Sequence, residues 1–410
     1  MDKSQTKTFL RVSLLAVMFV SQLNTVAAVI MADLVKLFPD ASPTAIQMVM
    51  QFGMIGAFPV TLSIGFFTKK FRIKPMICIG LCAIIIGGLM PLLFHSTLLQ
   101  LYISAVLIGA GQGFMSPLVS TLTLRHFENK PRERQIGLNA TFATGGATIF
   151  TLLAGVMALS GWLNIYFLYF VAIPALILVI VFMPLGEKPA QVVEEEKKEK
   201  VIVPAGAFVM AALLIIMFLG YVTFPINIGM LVDAEGIGDS ASTGLSVSII
   251  TVVGALFGLI FPYIVRIFKT YIGTFSCIFG TLGMFVVIIS KSMGMIYFAS
   301  VLLGFFFGSA VAGTVYIIGR ICKREQFGPS LSITLGLMTL GVVLSPIVVN
   351  GVTPLWGGVG SLGAFTTSTV ILGIALVCQI IWGTYVRVKF PEAPKEAPEE
   401  AAPVEEAPAE

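Results

Sequence analysis

The sequence predicts an all-α integral membrane protein. Twelve transmembrane helices form two six-helix bundles, and both termini are cytoplasmic. Three observations lead there. Of 410 residues, 57% are hydrophobic and 11% charged, with a mean hydropathy of +0.98. A soluble domain carries about 25% charged residues, so so much apolar surface has to face lipid. Apolar runs of a length that one helix needs to cross a bilayer, about 20 residues, recur along the chain, without the strict alternation of barrel strands. A charged stretch, LGEKPAQVVEEEKKEKVIVP, divides the chain into halves of nearly equal length.

The elements follow in order. The opening MDKSQTKTFLR is basic and leads into an apolar run, as in a signal peptide. The run from Val12 to about Ala32 is nonetheless long enough to span, and more spans follow, so it reads as an uncleaved first helix. The spans expected in the first half are roughly 12–32, 44–66, 76–94, 98–122, 136–159 and 164–185. Those in the second half are 205–231, 243–265, 271–290, 295–318, 330–352 and 364–386. The organisation is a first bundle over 1–185, a cytoplasmic linker over 186–204, a second bundle over 205–388, and an acidic Pro-rich tail over 389–410 expected to be disordered.

Charge sets the orientation. With the N-terminus in the cytoplasm, all but Lys36 and Lys291 of the 25 Lys and Arg fall on the cytoplasmic side. Retention of positive residues inside is the topological signal, and it requires an even number of spans. The same asymmetry accounts for the basic body of the chain without invoking nucleic acid. The cysteines (Cys78, Cys82, Cys277, Cys322, Cys378) have no metal-ligand spacing with His95 or His126, and neither a disulfide framework, a metal nor a cofactor is expected.

The two halves repeat each other. Leu107-Ile108-Gly109-Ala110-Gly111-Gln112-Gly113 answers to Leu302-Leu303-Gly304-Phe305-Phe306-Phe307-Gly308, and Arg125 to Arg320 at the same offset. Gly145 and Gly155 are matched to Gly341 and Gly351, and Phe19 and Asp40 to Phe218 and Asp239. Parallel repeats around a central linker are the form of alternating-access transporters, with a site at the repeat interface near mid-membrane.

The motifs resemble those of the major facilitator superfamily over about residues 9–388. The loop after the second span reads Gly65-Phe66-Phe67-Thr68-Lys69-Lys70-Phe71-Arg72-Ile73-Lys74-Pro75, with the family's leading glycine and basic cluster, but Lys69 where the family has Asp and Arg72 where it has Gly. The fourth span keeps the glycine spacing at Gly109, Gly111 and Gly113, with Ala105 at a usual Arg position. The fifth follows Arg132-Glu133-Arg134 and lacks the Gly-Pro pair of drug antiporters. Gly161-Trp162 precedes the sixth, and Leu23-Asn24-Thr25 stands where some multidrug members have Leu-Asp-Thr. The resemblance implies a twelve-helix secondary transporter in a cell membrane, with helices 1, 4, 7 and 10 lining the cavity.

No Asp, Glu, Lys or Arg lies deep in any expected span. A charge at the bilayer centre costs about 2.5–3.5 kcal/mol on insertion scales and usually marks function, so a carrier of phosphates or carboxylates, or one with a buried proton-coupling acid, is disfavoured. Asp33, at the outer end of the first span, is the nearest titratable group. The polar residues left in the spans are uncharged. Asn24, Gln112, Asn227 and Tyr316 fall on the cavity-lining helices and are the first candidates for substrate binding. Gln22, Gln51, Asn139 and Tyr221 are the next, and Gln47 and Asn350 are further buried amides. Amides, hydroxyls and many Phe and Met side chains suit a neutral or amphipathic organic solute. Gly65, Lys69, Lys70, Arg72, Arg266 and Lys269 are candidates for a conformational latch. Prolines within spans, such as Pro59, Pro117, Pro225 and Pro346, invite kinks.

An enzyme would need an intramembrane catalytic constellation, and an ATP-driven pump a phosphate-binding loop; the sequence has neither. Export by alternating access is the preferred reading, with an uptake permease or a non-transporting receptor on the same scaffold as alternatives. A monomer in the lipid bilayer, with a small-molecule substrate, is expected.

Overall fold

The computed structural model describes residues 3–183 and 203–390. The expected linker lies outside the described residues except for Val203 and Pro204, and the tail except for Lys389 and Phe390. No strand occurs among the described residues.

The first half contains α1 (Lys3–Val20), a 3₁₀-wound segment Leu23–Ile30, α2 (Met31–Leu37), α3 (Pro43–Lys70), α4 (Ile73–Leu93), α5 (Leu98–His126), α6 (Asn129–Ala158), a second 3₁₀ segment Trp162–Val171 and α7 (Ala172–Phe182). The second half contains α8 (Ala205–Tyr221), α9 (Thr223–Ala234), α10 (Ser240–Phe268), a 3₁₀ turn Lys269–Tyr271, α11 (Ile272–Ile288), α12 (Met293–Ile321), α13 (Arg324–Val352) and α14 (Gly360–Lys389).

Local chemistry sets the boundaries. Ser42 caps α3, its side chain accepting from the Ala45 N–H at 3.2 Å with Pro43 at the first helical position, where a missing N–H costs nothing. Thr97 and Gln100 form a capping box on α5. Asp239 caps α10, accepting from the N–H of Ser242 at 2.8 Å and from its hydroxyl at 2.6 Å.

Eleven helical stretches among the described residues are long and apolar enough to cross a membrane. One of them, Ser240–Ile288, has 49 residues and comprises both α10 and α11. It doubles back. A Cβ placed on Gly254 of α10 would lie 2.9 Å from Phe307, and one on Gly280 of α11 would lie 2.6 Å from Phe306, so both helices pass the same turn of α12. The reversal sits at Lys269, with φ 48, the one non-glycine residue of positive φ among those described. Such a conformation crowds an L side chain.

Three expected spans are not continuous α-helices: the sixth is 3₁₀-wound over Trp162–Val171 before α7, and two others are interrupted. The first passes from α1 through Ser21 and Gln22 into the 3₁₀ segment and then α2, and the seventh breaks between α8 and α9 at Val222. A 3₁₀ stretch inside a helix often marks a hinge.

Buried hydrophobic side chains form two clusters, one drawn from Leu10–Met183 and one from Ala207–Val386. Met50 packs against both. Close backbone approaches repeat between the halves. A Cβ on Gly146 would meet the Phe19 carbonyl oxygen at 2.0 Å, and one on Gly341 the Ile215 carbonyl oxygen at 2.3 Å. The repeat partner of Gly341 is therefore Gly146 rather than the Gly145 matched in sequence, because Gly145 has nothing within 4 Å. Gly155 and Gly351 also part company: the first packs on Ser240 and Ala241, the second on nothing within 4 Å.

Candidate functional site

The halves meet at one end of the bundle. Lys36 Nζ and Asp233 Oδ1 form an exposed ion pair at 2.6 Å. Deeper in, Gln47 Nε2 donates to Asn227 Oδ1 at 2.8 Å, and Asn350 Nδ2 donates to Gln47 Oε1 at 2.8 Å and to Thr44 Oγ1 at 3.1 Å. Asn227 Nδ2 in turn donates to the Thr223 carbonyl at 3.1 Å. Gln47 is 1% and Asn227 4% exposed. Further along, Ser248 Oγ donates to the Thr148 carbonyl at 3.3 Å. These bonds between the halves all lie in the Lys36-side half of the helices that make them. Above this clasp, toward the Lys36 end, a cavity of about 570 Å³ opens between Phe38, Thr44, Met230, Asn350 and Val359.

Both polar ends of Gln47 are consumed by the clasp. Gln51 lies one turn further in on the same face of α3, since residues four apart in a helix align. It is 1% exposed, and neither its Nε2 nor its Oε1 has a hydrogen-bond partner. Gln112 Nε2 on α5 is likewise buried without a partner, as is Asn24 Oδ1. Each such group costs about 1–3 kcal/mol when left unmet, so these amides await either water, a ligand or another conformation.

The other expected site residues are distributed more widely. Asn24 lies on the first 3₁₀ segment and faces a gap of about 20 Å³ inside the first half, among Gly53, Ser104 and Tyr166, rather than the space between the halves. Gln22 precedes that segment, its carbonyl accepting from the Thr25 N–H and hydroxyl. Thr25 Oγ1 is 3.1 Å from Thr151 Oγ1 on α6. Asn139 belongs to a polar chain at the basic end. Arg11 Nε donates to Gln135 Oε1 at 3.1 Å, Gln135 Nε2 to Asn139 Oδ1 at 2.9 Å, and Asn139 Nδ2 to Thr123 Oγ1 at 3.1 Å. Tyr221 is stacked on Phe306 and Phe307, with centroids 5.1 and 5.7 Å away. The Tyr316 hydroxyl accepts from Arg320 at 3.4 Å.

At the basic end, the side-chain bonds of Arg11, Lys74, Arg132 and Lys389 stay within their own half. Lys74 donates to the carbonyls of Ile180 and Met183, both at 2.7 Å, a cation at a helix C-terminus, where the helix dipole favours it. Lys70 lies over the Phe66 ring at 4.6 Å, Arg72 precedes α4 as its N-cap, and Arg266 lies in the last turn of α10. Gly65 and Lys69 are on α3, but their surroundings fall outside what is described. Among the described residues no group of three or more His, Cys, Asp or Glu converges to hold a metal.

Sequence reasoning missed the joint role of Thr44, Gln47, Asn227 and Asn350. Nothing in spacing reveals that amides 180 and 303 positions apart meet. The signal available was complementarity: a lone Lys36 and an Asp233 near outer ends of spans in opposite halves.

Comparison with known proteins places these features in a family. A family model described as Major Facilitator Superfamily matches residues 12–314. No curated protein matches the chain in sequence. Solved structures do match in fold. A bacterial homologue of the human lysosomal transporter Spinster, inward-facing and unoccupied, superposes with a TM-score of 0.74 at 13% identity, over 96% of this chain and 100% of that one. The nucleoside transporter NupG gives 0.70 at 15% identity, over 92% and 98%. A D-xylose-proton symporter gives 0.67 at 14% identity, over 91% and 97%.

Proposed function

We propose that this chain, which belongs to the major facilitator superfamily, is a secondary transporter that moves a small neutral or amphipathic organic solute by alternating access. The observation that carries the reading is the clasp of Gln47 with Asn227 and Asn350: it joins the halves at the Lys36 end, with the unpaired Gln51 amide one turn further in. A carrier needs an interface that can open on either side of a central site, and side-chain hydrogen bonds between two separately packed cores supply a breakable closure.

Counting α10 and α11 separately gives twelve spans, which returns both termini to the same side. The Lys/Arg asymmetry supports the cytoplasm as that side and a cell membrane as the location. The Lys36 end is then external, and the chain is sealed outside. The inward-facing state of the Spinster homologue supports the same assignment. The moving bodies are residues 1–185 and 205–388. The first bundle offers Gln51 and Gln112 to the solute. The second offers Tyr316, with Asn227 exposed once the clasp parts, and Gln22, Asn24, Asn139 and Tyr221 support the walls. In the opposite state the basic end closes, and Lys69, Lys70, Arg72, Arg266 and Lys269 are the candidates for its latch. Export is the direction we favour.

The test is purified protein in detergent and in liposomes. Neutral, cationic and anionic small molecules are ranked by the rise they give in thermal midpoint, since a ligand of the folded state stabilises by mass action. The best is then followed for net flux without ATP. Stabilisation by neutral compounds together with flux supports the reading. Stabilisation without flux makes the protein a receptor, and preference for anions overturns the solute class.

A further inference from the structure

At the basic end of the second half, a cavity of about 420 Å³ opens between the turn Lys269–Tyr271 and the ends of α12 and α14. Among the described residues its charged lining is Lys269, Arg320 and Arg387. Two further features point to an anionic occupant. α11 begins at Ile272, immediately after the cavity's wall, and the N-terminus of a helix attracts negative charge. Thr270 lines the cavity, is 4% exposed, and its hydroxyl has no hydrogen-bond partner. A hydroxyl donor among three cations suits a carboxylate, which only accepts.

The chain carries suitable carboxylates next to this cavity. Arg320 Nε donates to the Phe390 carbonyl at 2.9 Å, which fixes the start of the tail at the cavity wall. Beyond that point the sequence PEAPKEAPEEAAPVEEAPAE holds seven Glu and one Lys. Glu392 is two residues on, within about 7 Å of chain, and Glu396, Glu399 and Glu400 follow. A segment tethered this closely has a local concentration in the millimolar range, so several weak ion pairs suffice to hold it.

We propose that the acidic segment 391–410 docks its glutamates into the Lys269–Arg320–Arg387 cavity of its own chain. The contact bears on α12, because Arg320 also reaches the Tyr316 hydroxyl one turn back on that helix. The inference is independent of the solute and of the direction of transport.

The test is cleavage of the tail by a glutamyl endopeptidase in the full chain, in neutral detergent, followed by intact mass. The free peptide 391–410 serves as the reference rate at each salt concentration. The expected results are a tail cut several-fold more slowly than the free peptide, and loss of that protection in Lys269→Gln/Arg387→Gln. Protection should also fall for the unaltered chain between 0.05 and 0.5 M NaCl, where screening shortens the reach of charge to about 4 Å, a readout that needs no variant to fold. Lys70→Gln/Arg72→Gln, basic residues of the other half, should leave it intact. Equal cleavage of tail and free peptide, or equal loss in both double variants, overturns the proposal. So does a result in which the cavity variant loses phosphatidylglycerol, read by native mass spectrometry, while tail cleavage is unchanged; the cavity then holds lipid.

Discussion

Gln47 on α3 and Asn227 on α9 are joined side chain to side chain at 2.8 Å across the two halves, and the same Gln47 accepts from Asn350 on α13. One buried amide thus ties two helices of the opposite half at once. The exposed Lys36–Asp233 pair above it, with side chains 60% and 46% exposed, adds little by comparison, since surface ion pairs contribute about 0–1 kcal/mol.

Gln47→Ala should release the clasp. Asn227 Oδ1 and an N–H of Asn350 lose their partner, and each unmet group costs about 1–3 kcal/mol in the sealed state. Every 1.4 kcal/mol is about ten-fold in population. Hydrogen exchange of the peptides covering 43–56 and 346–356 should therefore speed up by about ten-fold or more, while peptides within one core, such as 76–90, keep their wild-type rates. Lys36→Ala should change the same peptides by less than about five-fold. Equal effects of the two substitutions would place the closure in the ion pair instead.

Glycine substitutions should separate the close approaches from the open positions. A Cβ on Gly109 would lie 1.7 Å from the Gly53 carbonyl oxygen, and one on Gly341 2.3 Å from that of Ile215, backbone atoms that cannot rotate away. Gly109→Ala and Gly341→Ala should lower the thermal midpoint strongly or abolish folding. Gly145→Ala and Gly351→Ala, with nothing within 4 Å, should match the wild type or exceed it slightly, because alanine loses less backbone freedom in a helix.

The same glycines mark what the sequence could and could not tell. The all-helical membrane character and the pairing of Gly109–Gly113 with Gly304–Gly308 rest on composition and spacing, which the chain displays directly. Gly145 and Gly146 cannot be told apart that way, because one helical position decides which faces Phe19, and that is set by tertiary packing. Asn227 was legible as a buried amide needing a partner, but its partner lies 180 residues away. The break at Ser21–Gln22 carries no glycine or proline to announce it, whereas the one at Val222 lies between Gly220 and Pro225, a proline that lacks the N–H its helix would aim at the Tyr221 carbonyl; the reversal at Lys269 occurs at a residue that avoids positive φ.

The cap of α10 predicts a pH dependence. The hydroxyl and N–H of Ser242 hold the Asp239 carboxyl below its ordinary value of 3.8. A carboxylate whose folded pKa is depressed contributes stability above its unfolded pKa, and that contribution is lost as pH falls through the folded pKa. Asp239→Ala should cost about 0.5–2 kcal/mol at neutral pH, the usual range for a lost N-cap. The gap to wild type should narrow below pH 4. Thermal midpoints from pH 7 to pH 3 check this. A gap constant over that range would show that charge is not what the cap uses.

Gln51 sets stability against function. Its two amide atoms are buried without partners, one turn inward of the clasp. Gln51→Leu keeps most of the volume and removes both unmet groups, so the ligand-free protein should gain about 1–3 kcal/mol, read as a higher thermal midpoint. If those atoms are kept for a solute, the same variant should lose the stabilisation given by the best neutral ligand and slow its flux by about ten-fold or more, the cost of one or two hydrogen bonds. Gln47→Leu, by contrast, should lower the midpoint, because it strands Asn227 and Asn350. A Gln51→Leu protein that is less stable, or one that binds as before, would mean that the amide is met within the protein and that the solute lies elsewhere along α5 and α12.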